Sequence, residues 1–79
     1  MKHRYDFELV CRCPNDKSVN IYDVEVFSNQ QIDVEEFNKF QSEIYNQFMF
    51  QEDLHHLLKI KYKKVKVVGF HLGVKVISE

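Results

Sequence analysis

The stretch IDVEEF, residues 32–37, specifies the start of a helix, and the rest of the chain can be placed around it. Asp33 has the residue type of a helix N-cap, because its carboxylate can accept hydrogen bonds from the free backbone N–H groups of the first turn. Glu36 can reach back to the N–H of Asp33, and Ile32 and Phe37 have the spacing of a hydrophobic staple. We therefore predict a helix with its N-cap at Asp33.

Two amphipathic helices are predicted downstream of this start. The first has an apolar stripe at spacings of three and four, made by Val34, Phe37, Phe40, Ile44 and Phe48. This helix should end near Gln47. The next apolar residues form a stripe rotated by about a quarter turn, made by Phe50, Leu54, Leu57 and Leu58. One straight helix cannot bury both stripes, so we predict a break at 49–51 and a second helix over 51–59.

The chain before Asp33 has the alternation of two strands. Odd-numbered residues from Tyr5 to Cys13 are apolar and their even-numbered neighbours are mostly charged, which is typical of a half-buried strand. Residues 14–18 are polar and contain the only proline, so we predict a hairpin loop. A second strand follows, and its change of phase near Ile21 predicts a β-bulge, or else a strand that begins at Asn20.

The C-terminal residues 63–78 are rich in valine and predict β structure. Apolar residues alternate through both glycines, Gly69 and Gly73, so we predict one long bent strand; the alternative is a hairpin that turns over residues 69–73. The predicted fold class is α+β, with one domain over residues 1–79. It has a small antiparallel sheet in the order β-β-α-α-β, or with a fourth strand, and two helices packed on one face.

With the hairpin alternative, the order of elements becomes β-β-α-α-β-β, which is similar to the tunnelling fold of pterin and deazapurine enzymes. Only the order of elements carries this resemblance. The zinc-binding histidine pattern of that group has no match in this sequence, so the resemblance implies no site residue here.

The composition indicates a folded chain without a strongly charged character. Its 79 residues include 44% hydrophobic residues and eleven Phe and Tyr residues, enough for one small core. A net charge of −1 gives no overall field that attracts nucleic acid or an anionic membrane. The longest apolar run, residues 48–50, is much shorter than a membrane span, and residues 1–6 do not lead into a signal peptide, so we predict a cytoplasmic protein.

No pattern of residues predicts a catalytic site, a cofactor or a metal. Cys11 and Cys13 are expected to be free, reduced thiols in a strand. They offer one weak half of a zinc site, and the adjacent His55 and His56 diverge on a helix. The carboxylate pairs at 35–36 and 52–53 are explained by their places at helix starts. We therefore predict a protein that is not an enzyme.

One basic row is a candidate for binding nucleic acid. It contains Lys59, Lys61, Tyr62, Lys63, Lys64 and Lys66. Its ammonium groups could contact consecutive phosphates while the tyrosine stacks on a base. The other interpretation is a solvated helix end that leads into an edge strand, where lysines discourage aggregation.

The favoured function is a small non-enzymatic module that binds another protein, as an inhibitor or adaptor of the kind that phages use against host defence systems. Its partner-binding residues would be Phe27, Tyr45 and Met49, which fall outside the predicted core stripes. An exposed edge strand further predicts a homodimer. Nucleic-acid binding is the alternative, and an oligomeric enzyme of tunnelling-fold type is the distant alternative.

Overall fold

Five strands and two helices make up the fold, which a computed structural model describes over residues 2–79. The elements are β1 (His3–Arg12), β2 (Val19–Ser28), α1 (Val34–Ile44), β3 (Gln47–Phe48), α2 (Gln51–Tyr62), β4 (Val65–His71) and β5 (Val74–Ser78). The predicted α+β class, with two helices packed on a small sheet, is confirmed. No helix among the described residues is both long and apolar enough to cross a membrane.

The sheet has the strand order β3-β1-β2-β4-β5. Neighbouring strands are antiparallel, except that the two-residue β3 pairs in parallel with the end of β1. Burial alternates along β2 and β4, so the helices cover one face of the sheet. The core between them consists of Leu9, Cys11, Tyr22, Val24, Val26, Phe37, Phe40, Ile44, Leu54, Leu58, Val65 and Val67.

Asp33 is the N-cap of α1, as predicted. Its Oδ1 accepts a hydrogen bond from the N–H of Glu35 at 3.0 Å. Glu36 does not complete a capping box, because its Oε2 accepts a 2.6 Å hydrogen bond from the Tyr62 hydroxyl instead. Burial, followed by this contact with Glu36, raises the pKa of Tyr62. The side chain of Glu36, which was predicted to cap its own helix, thus connects α1 to the end of α2 by a hydrogen bond.

Helix α1 is shorter than predicted. It ends at Ile44, and Asn46 has a positive φ of 61° that stops the helical path. The N–H of Asn46 donates to the carbonyl of Val10 at 3.0 Å, so pairing with β1 replaces the next helical hydrogen bond. Phe48, predicted for the buried stripe, lies in β3 and is exposed, and Val34 is exposed as well. Helix α2 is longer than predicted and continues to Tyr62.

No bulge interrupts the pairing of β1 with β2, which runs in one register from His3 opposite Ser28 to Arg12 opposite Val19. The predicted bulge near Ile21 is therefore wrong. Val19 and Ile21 lie on the exposed side of β2, whereas Tyr22 faces the core. The apparent change of phase came from apolar residues that the sheet leaves exposed.

The C-terminal segment is a hairpin, so the preferred prediction of one long strand is wrong. Strands β4 and β5 pair from Val67 opposite Ser78 to His71 opposite Val74. The turn between them is Leu72-Gly73, with φ values of 52° and 81°. Two positive φ values in a two-residue loop match the twist of a β-hairpin. Leu72 conceals this turn in the sequence, because a large apolar residue is unusual there.

Candidate active site

The parallel pairing of β3 with β1 brings two distant parts of the chain to one end of the sheet. Gln47 lies opposite Cys11, and Phe48 lies opposite Arg12. The N–H of Met49 then donates to the carbonyl of Arg12 at 3.0 Å. Since both strands run in the same direction, the loop after β1 and the first turn of α2 lie at the same end of the sheet. This end of the molecule carries the side chains that are most suited to take part in a reaction.

Cys13 begins the loop, and local hydrogen bonds fix its position. Its N–H donates to the carbonyl of Ser18 at 2.8 Å, and its own carbonyl accepts from the N–H of Lys17 at 2.9 Å. Lys17 closes the turn with a φ of 64°. The thiol of Cys13 is therefore presented by a closed loop at the end of a strand, and it is half-buried.

Asp16 lies in the same loop, three residues after Cys13, and is exposed. Asp16 Oδ1 accepts hydrogen bonds from the hydroxyl of Ser18 at 2.7 Å and from its N–H at 2.9 Å. These bonds from Ser18, and then a hydrogen bond from Cys13, lower the pKa of Asp16. The carboxylate is thus ionised near neutral pH, and it is the acidic group of the Cys13 loop that could accept a proton. Proton acceptance by a neighbouring group is a general way to activate a cysteine nucleophile.

Cys11 lies in a different environment, although only one residue separates it from Cys13. It is fully buried in the core. Burial disfavours the thiolate and raises the pKa of Cys11 to about 11. Cys11 is therefore a protonated core residue at neutral pH, and Cys13 is the candidate for chemistry.

The different burial of the two cysteines predicts a loss of stability in alkali. The pKa of Cys11 is raised from 9.0 to about 11 in the folded protein, so its contribution to stability is complete below pH 9 and is lost as pH rises to about 11. We expect this loss to be about 2–3 kcal/mol. Urea unfolding of the wild type and of Cys11→Ala at several pH values measures it.

The Cys11→Ala variant should lose less stability between pH 9 and 11 than the wild type. Some loss should remain, because burial also raises the pKa of Tyr22 and of Tyr62. A Cys13→Ala variant should keep the full alkaline loss and serves as the control. Equal losses in the wild type and in Cys11→Ala would contradict this assignment.

Polar side chains continue the site across the helix-covered face of the sheet. Asn20 lies opposite Cys11 in the strand register, and its Nδ2 is 3.5 Å from the hydroxyl of Tyr22. His71 packs beside Tyr22 with ring centroids 5.9 Å apart. Burial raises the pKa of Tyr22, and the nearby Cys11 and Cys13 raise it further. The Tyr22 hydroxyl thus remains a neutral hydrogen-bonding group between the thiols and the imidazole.

The first turn of α2 closes the other side of the site. Its N-cap is Phe50, which provides no side-chain hydrogen bond to the free N–H groups of the helix start. Such groups can stabilise a negative charge that develops on a bound molecule. Glu52 and Asp53 lie in the same turn. Gln51 points inward and is almost fully buried.

The sequence-predicted partner residues do not form one surface. Tyr45 is exposed at the C-cap of α1, and Met49 packs against the core, both near the β3 end of the sheet. Phe27 lies near the opposite end of β2, beneath the ammonium group of Lys64 at 5.2 Å. A binding role for these three residues stays a prediction.

The basic row lies at the opposite end of the sheet from Cys13. Part of it lines a cleft of about 900 Å³, together with Phe27 and the connection between β2 and α1. Lys61 lies over the rings of Phe40 and Tyr62, and Lys66 pairs with Glu25 at 3.9 Å. Cation–π contacts therefore hold part of the row in place. Nucleic-acid binding by these lysines stays a prediction.

The thiol site was missed by the sequence interpretation, which treated Cys13 as a passive thiol in a strand. The available signal was a cysteine at the end of an alternating segment, followed within the same short loop by Asp16 and Ser18. The sequence could not show that Asn20, Gln51 and His71 lie near this end of the sheet, since their positions depend on the order of the strands. Within residues 2–79, no three His, Cys, Asp or Glu side chains form a group that could hold a metal ion.

No protein-family model matches the chain, and neither does any curated protein. Among solved structures, the chain is similar to the archaeosine synthase QueF-Like, whose crystal structure is that of the apo form. The identity is 25% and the TM-score is 0.84, over 96% of this chain and 87% of that chain. Because this neighbour is an enzyme that shares the fold over almost the whole chain, the prediction of a non-enzymatic, phage-type inhibitor or adaptor is wrong. Of the functions considered from the sequence, the similarity supports the distant alternative, an enzyme of tunnelling-fold type.

Proposed function

We propose that the protein is an enzyme of tunnelling-fold type that performs a reaction related to archaeosine synthesis, with Cys13 as its nucleophile. The observation that carries this proposal is the similarity to the archaeosine synthase QueF-Like, at a TM-score of 0.84 over 96% of the chain. The β4–β5 hairpin supports it, because it completes the element order of the tunnelling fold apart from the short β3.

The geometry around Cys13 supports a nucleophilic addition. Asp16, three residues after Cys13 in the same loop, takes the proton of the thiol, and the sulfur forms a bond to an unsaturated carbon of the substrate. The electron pair of the attacked π bond moves to the neighbouring heteroatom, where a proton neutralises it. The free N–H groups at the start of α2 lie on the same end of the sheet and can stabilise charge that develops during this step.

The polar groups beside the thiol suit a planar heterocyclic substrate. Asn20 offers both a donor and an acceptor, and the neutral hydroxyl of Tyr22 offers both as well. An aromatic side chain near such groups provides a flat surface against which a base can lie, as the half-buried imidazole of His71 does here. We infer that the substrate class is a base or nucleoside of purine size.

Activity with the substrates of archaeosine synthase tests the proposal. The purified wild-type protein should form archaeosine, detected by mass spectrometry, at a rate proportional to enzyme concentration. Protein unfolded by heat provides the blank. Absence of the product, with folded wild-type protein and an archaeosine synthase that is active under the same conditions, would contradict the proposed function.

We further propose that the chain forms a homodimer through an edge strand. β5 is at the edge of the sheet and presents an unpaired backbone together with exposed Val74, Val76 and Ile77. This edge adjoins the candidate site, because Val76 and Ser78 both contact Gln51. A second copy paired here would border the site and shield it from water.

Light scattering across a concentration series tests the dimer. We expect twice the mass of one chain, and we expect Ile77→Pro to shift the protein towards the monomer, because in the β4–β5 register the N–H of Ile77 points to the free edge and proline removes that donor. Val34→Pro, at the exposed first position of α1 where proline is tolerated, is the matched control. A monomeric mass at all concentrations would exclude the dimer.

A further inference from the structure

Gln51 has an amide group whose orientation is fixed by the sheet. Its Nε2 donates to the carbonyl oxygen of Val67 at 3.2 Å and to that of Val76 at 2.9 Å, and it contacts the hydroxyl of Ser78 at 3.2 Å. The reversed orientation would place Oε1 against two carbonyl oxygens, which can only accept hydrogen bonds. The carbonyl oxygen of the Gln51 amide must therefore point away from the carbonyl oxygens of Val67 and Val76.

This orientation determines which nitrogen of His71 carries the hydrogen. Gln51 Oε1 lies 2.8 Å from His71 Nε2, and an amide oxygen can only accept, so Nε2 is the donor. In a neutral imidazole, Nδ1 is then the acceptor. Among the described residues, His71 makes its only side-chain hydrogen bond through Nε2. The other nitrogen is thus available to a bound molecule.

The contact of His71 with Tyr22 places the imidazole on the β4 side of β2, whereas β1, which carries Cys11 and leads into Cys13, lies on the other side of β2. The pairing of β2 with β4 ends where Asp23 lies opposite Val68, and beyond it the ring of His71 lies beside that of Tyr22, with centroids 5.9 Å apart. Asn20, two residues before Tyr22, lies opposite Cys11. A planar base above Asn20 would lie between the Cys13 loop and His71.

We propose that His71 is a catalytic proton-transfer residue of this site, with Nδ1 as the reacting atom, and that Gln51 is a positioning residue that holds the ring in the Nε2–H tautomer. This inference rests on the proposed function. Nδ1 accepts a proton from an N–H or O–H group of the substrate, which gives an imidazolium with both nitrogens protonated, and returns that proton in a later step. The transfer changes no oxidation state and needs no further reactant.

The tautomer can be measured without any activity. Long-range ¹H–¹⁵N correlation spectra of the wild type, recorded at a pH about two units above the ordinary histidine pKa of about 6.5, distinguish the two neutral forms. His71 should give the pattern of a protonated Nε2 and an unprotonated Nδ1, and assignment is made by comparison with His71→Gln. A protonated Nδ1 in the neutral ring would overturn the inference.

The turnover number of a His71 variant distinguishes a role in proton transfer from a merely structural role of this residue. His71→Gln retains an amide N–H near the position of Nε2, and so keeps the donor to Gln51, but it lacks a base at Nδ1. We expect kcat to fall by about 100-fold or more, with an unchanged melting temperature. The matched control is His55→Gln on α2, whose Nε2 lies 3.3 Å from the carbonyl of Val65, and it should keep full activity.

The possible failures are distinguishable. Full activity of His71→Gln, with an active wild type, would overturn the proton-transfer role and leave the proposed function standing. An inactive wild type would contradict the proposed function and the proton-transfer role together, whereas the NMR spectrum would still decide the tautomer that Gln51 imposes. If Gln51→Met remains folded, we expect a mixture of both His71 tautomers, and an unchanged spectrum would exclude positioning by Gln51.

Discussion

Cys13→Ser is expected to reduce the rate of archaeosine formation by about 1000-fold or more. A serine hydroxyl fits the same loop, but at neutral pH it is a far weaker nucleophile than the sulfur of a cysteine. The side chain is half-buried and its backbone hydrogen bonds do not depend on the sulfur. The free energy of unfolding should therefore change by less than about 0.5 kcal/mol.

The neighbouring cysteine provides the matched control for this experiment. Cys11→Ala removes a buried thiol from the core and should cost about 1 kcal/mol of stability, but the folded enzyme should keep most of its activity. Initial rates and urea unfolding curves are measured on both variants. Near-normal turnover by Cys13→Ser, or loss of turnover in Cys11→Ala without unfolding, would contradict the assignment of Cys13 as the nucleophile.

Gly69→Ala is expected to destabilise the fold by about 3 kcal/mol, which would leave much of this small domain unfolded. An added Cβ would lie 2.5 Å from Tyr22 Cε1 and 2.8 Å from Gln51 Oε1. Tyr22 is fully buried and Gln51 is fixed by hydrogen bonds, so neither neighbour can move cheaply. Thermal unfolding followed by circular dichroism measures the change.

Gly73 provides the comparison that separates a steric effect of the added Cβ at Gly69 from an effect of backbone freedom. Gly73 has no atom within 4 Å of an added Cβ, but its φ is +81°. Asparagine tolerates this backbone conformation, so Gly73→Asn should cost only a few tenths of a kcal/mol. A Gly69→Ala variant as stable as Gly73→Asn would mean that the space around Tyr22 and Gln51 is less tightly filled than the structure indicates.

The sequence predicted those features that depend on neighbouring residues. The cap at Asp33 is a local interaction, since its side chain bonds to an N–H only two residues away. The loop after Cys13 and the break between the helices have equally local signals in the proline-containing segment and in the rotation of the apolar stripe. The α+β class and the position of α1 on the sheet follow from these signals.

Features that depend on contacts between distant residues were missed. The break at Asn46 is stabilised by the carbonyl of Val10, and nothing near Asn46 in the sequence indicates that partner. Gln51 looked like an ordinary polar residue at a helix start, whereas the β4–β5 hairpin surrounds it with acceptors. His71 acquires its partner only through this hairpin, so the wrong prediction of one long strand also concealed the imidazole side of the site.

The initial rate of archaeosine formation by the wild type and by Cys13→Ser, measured side by side on folded protein, tests the central claim most directly. We expect the wild type to form archaeosine and the variant to be slower by about 1000-fold or more. A wild type that forms no archaeosine, or a variant that forms it at the wild-type rate, would contradict this account.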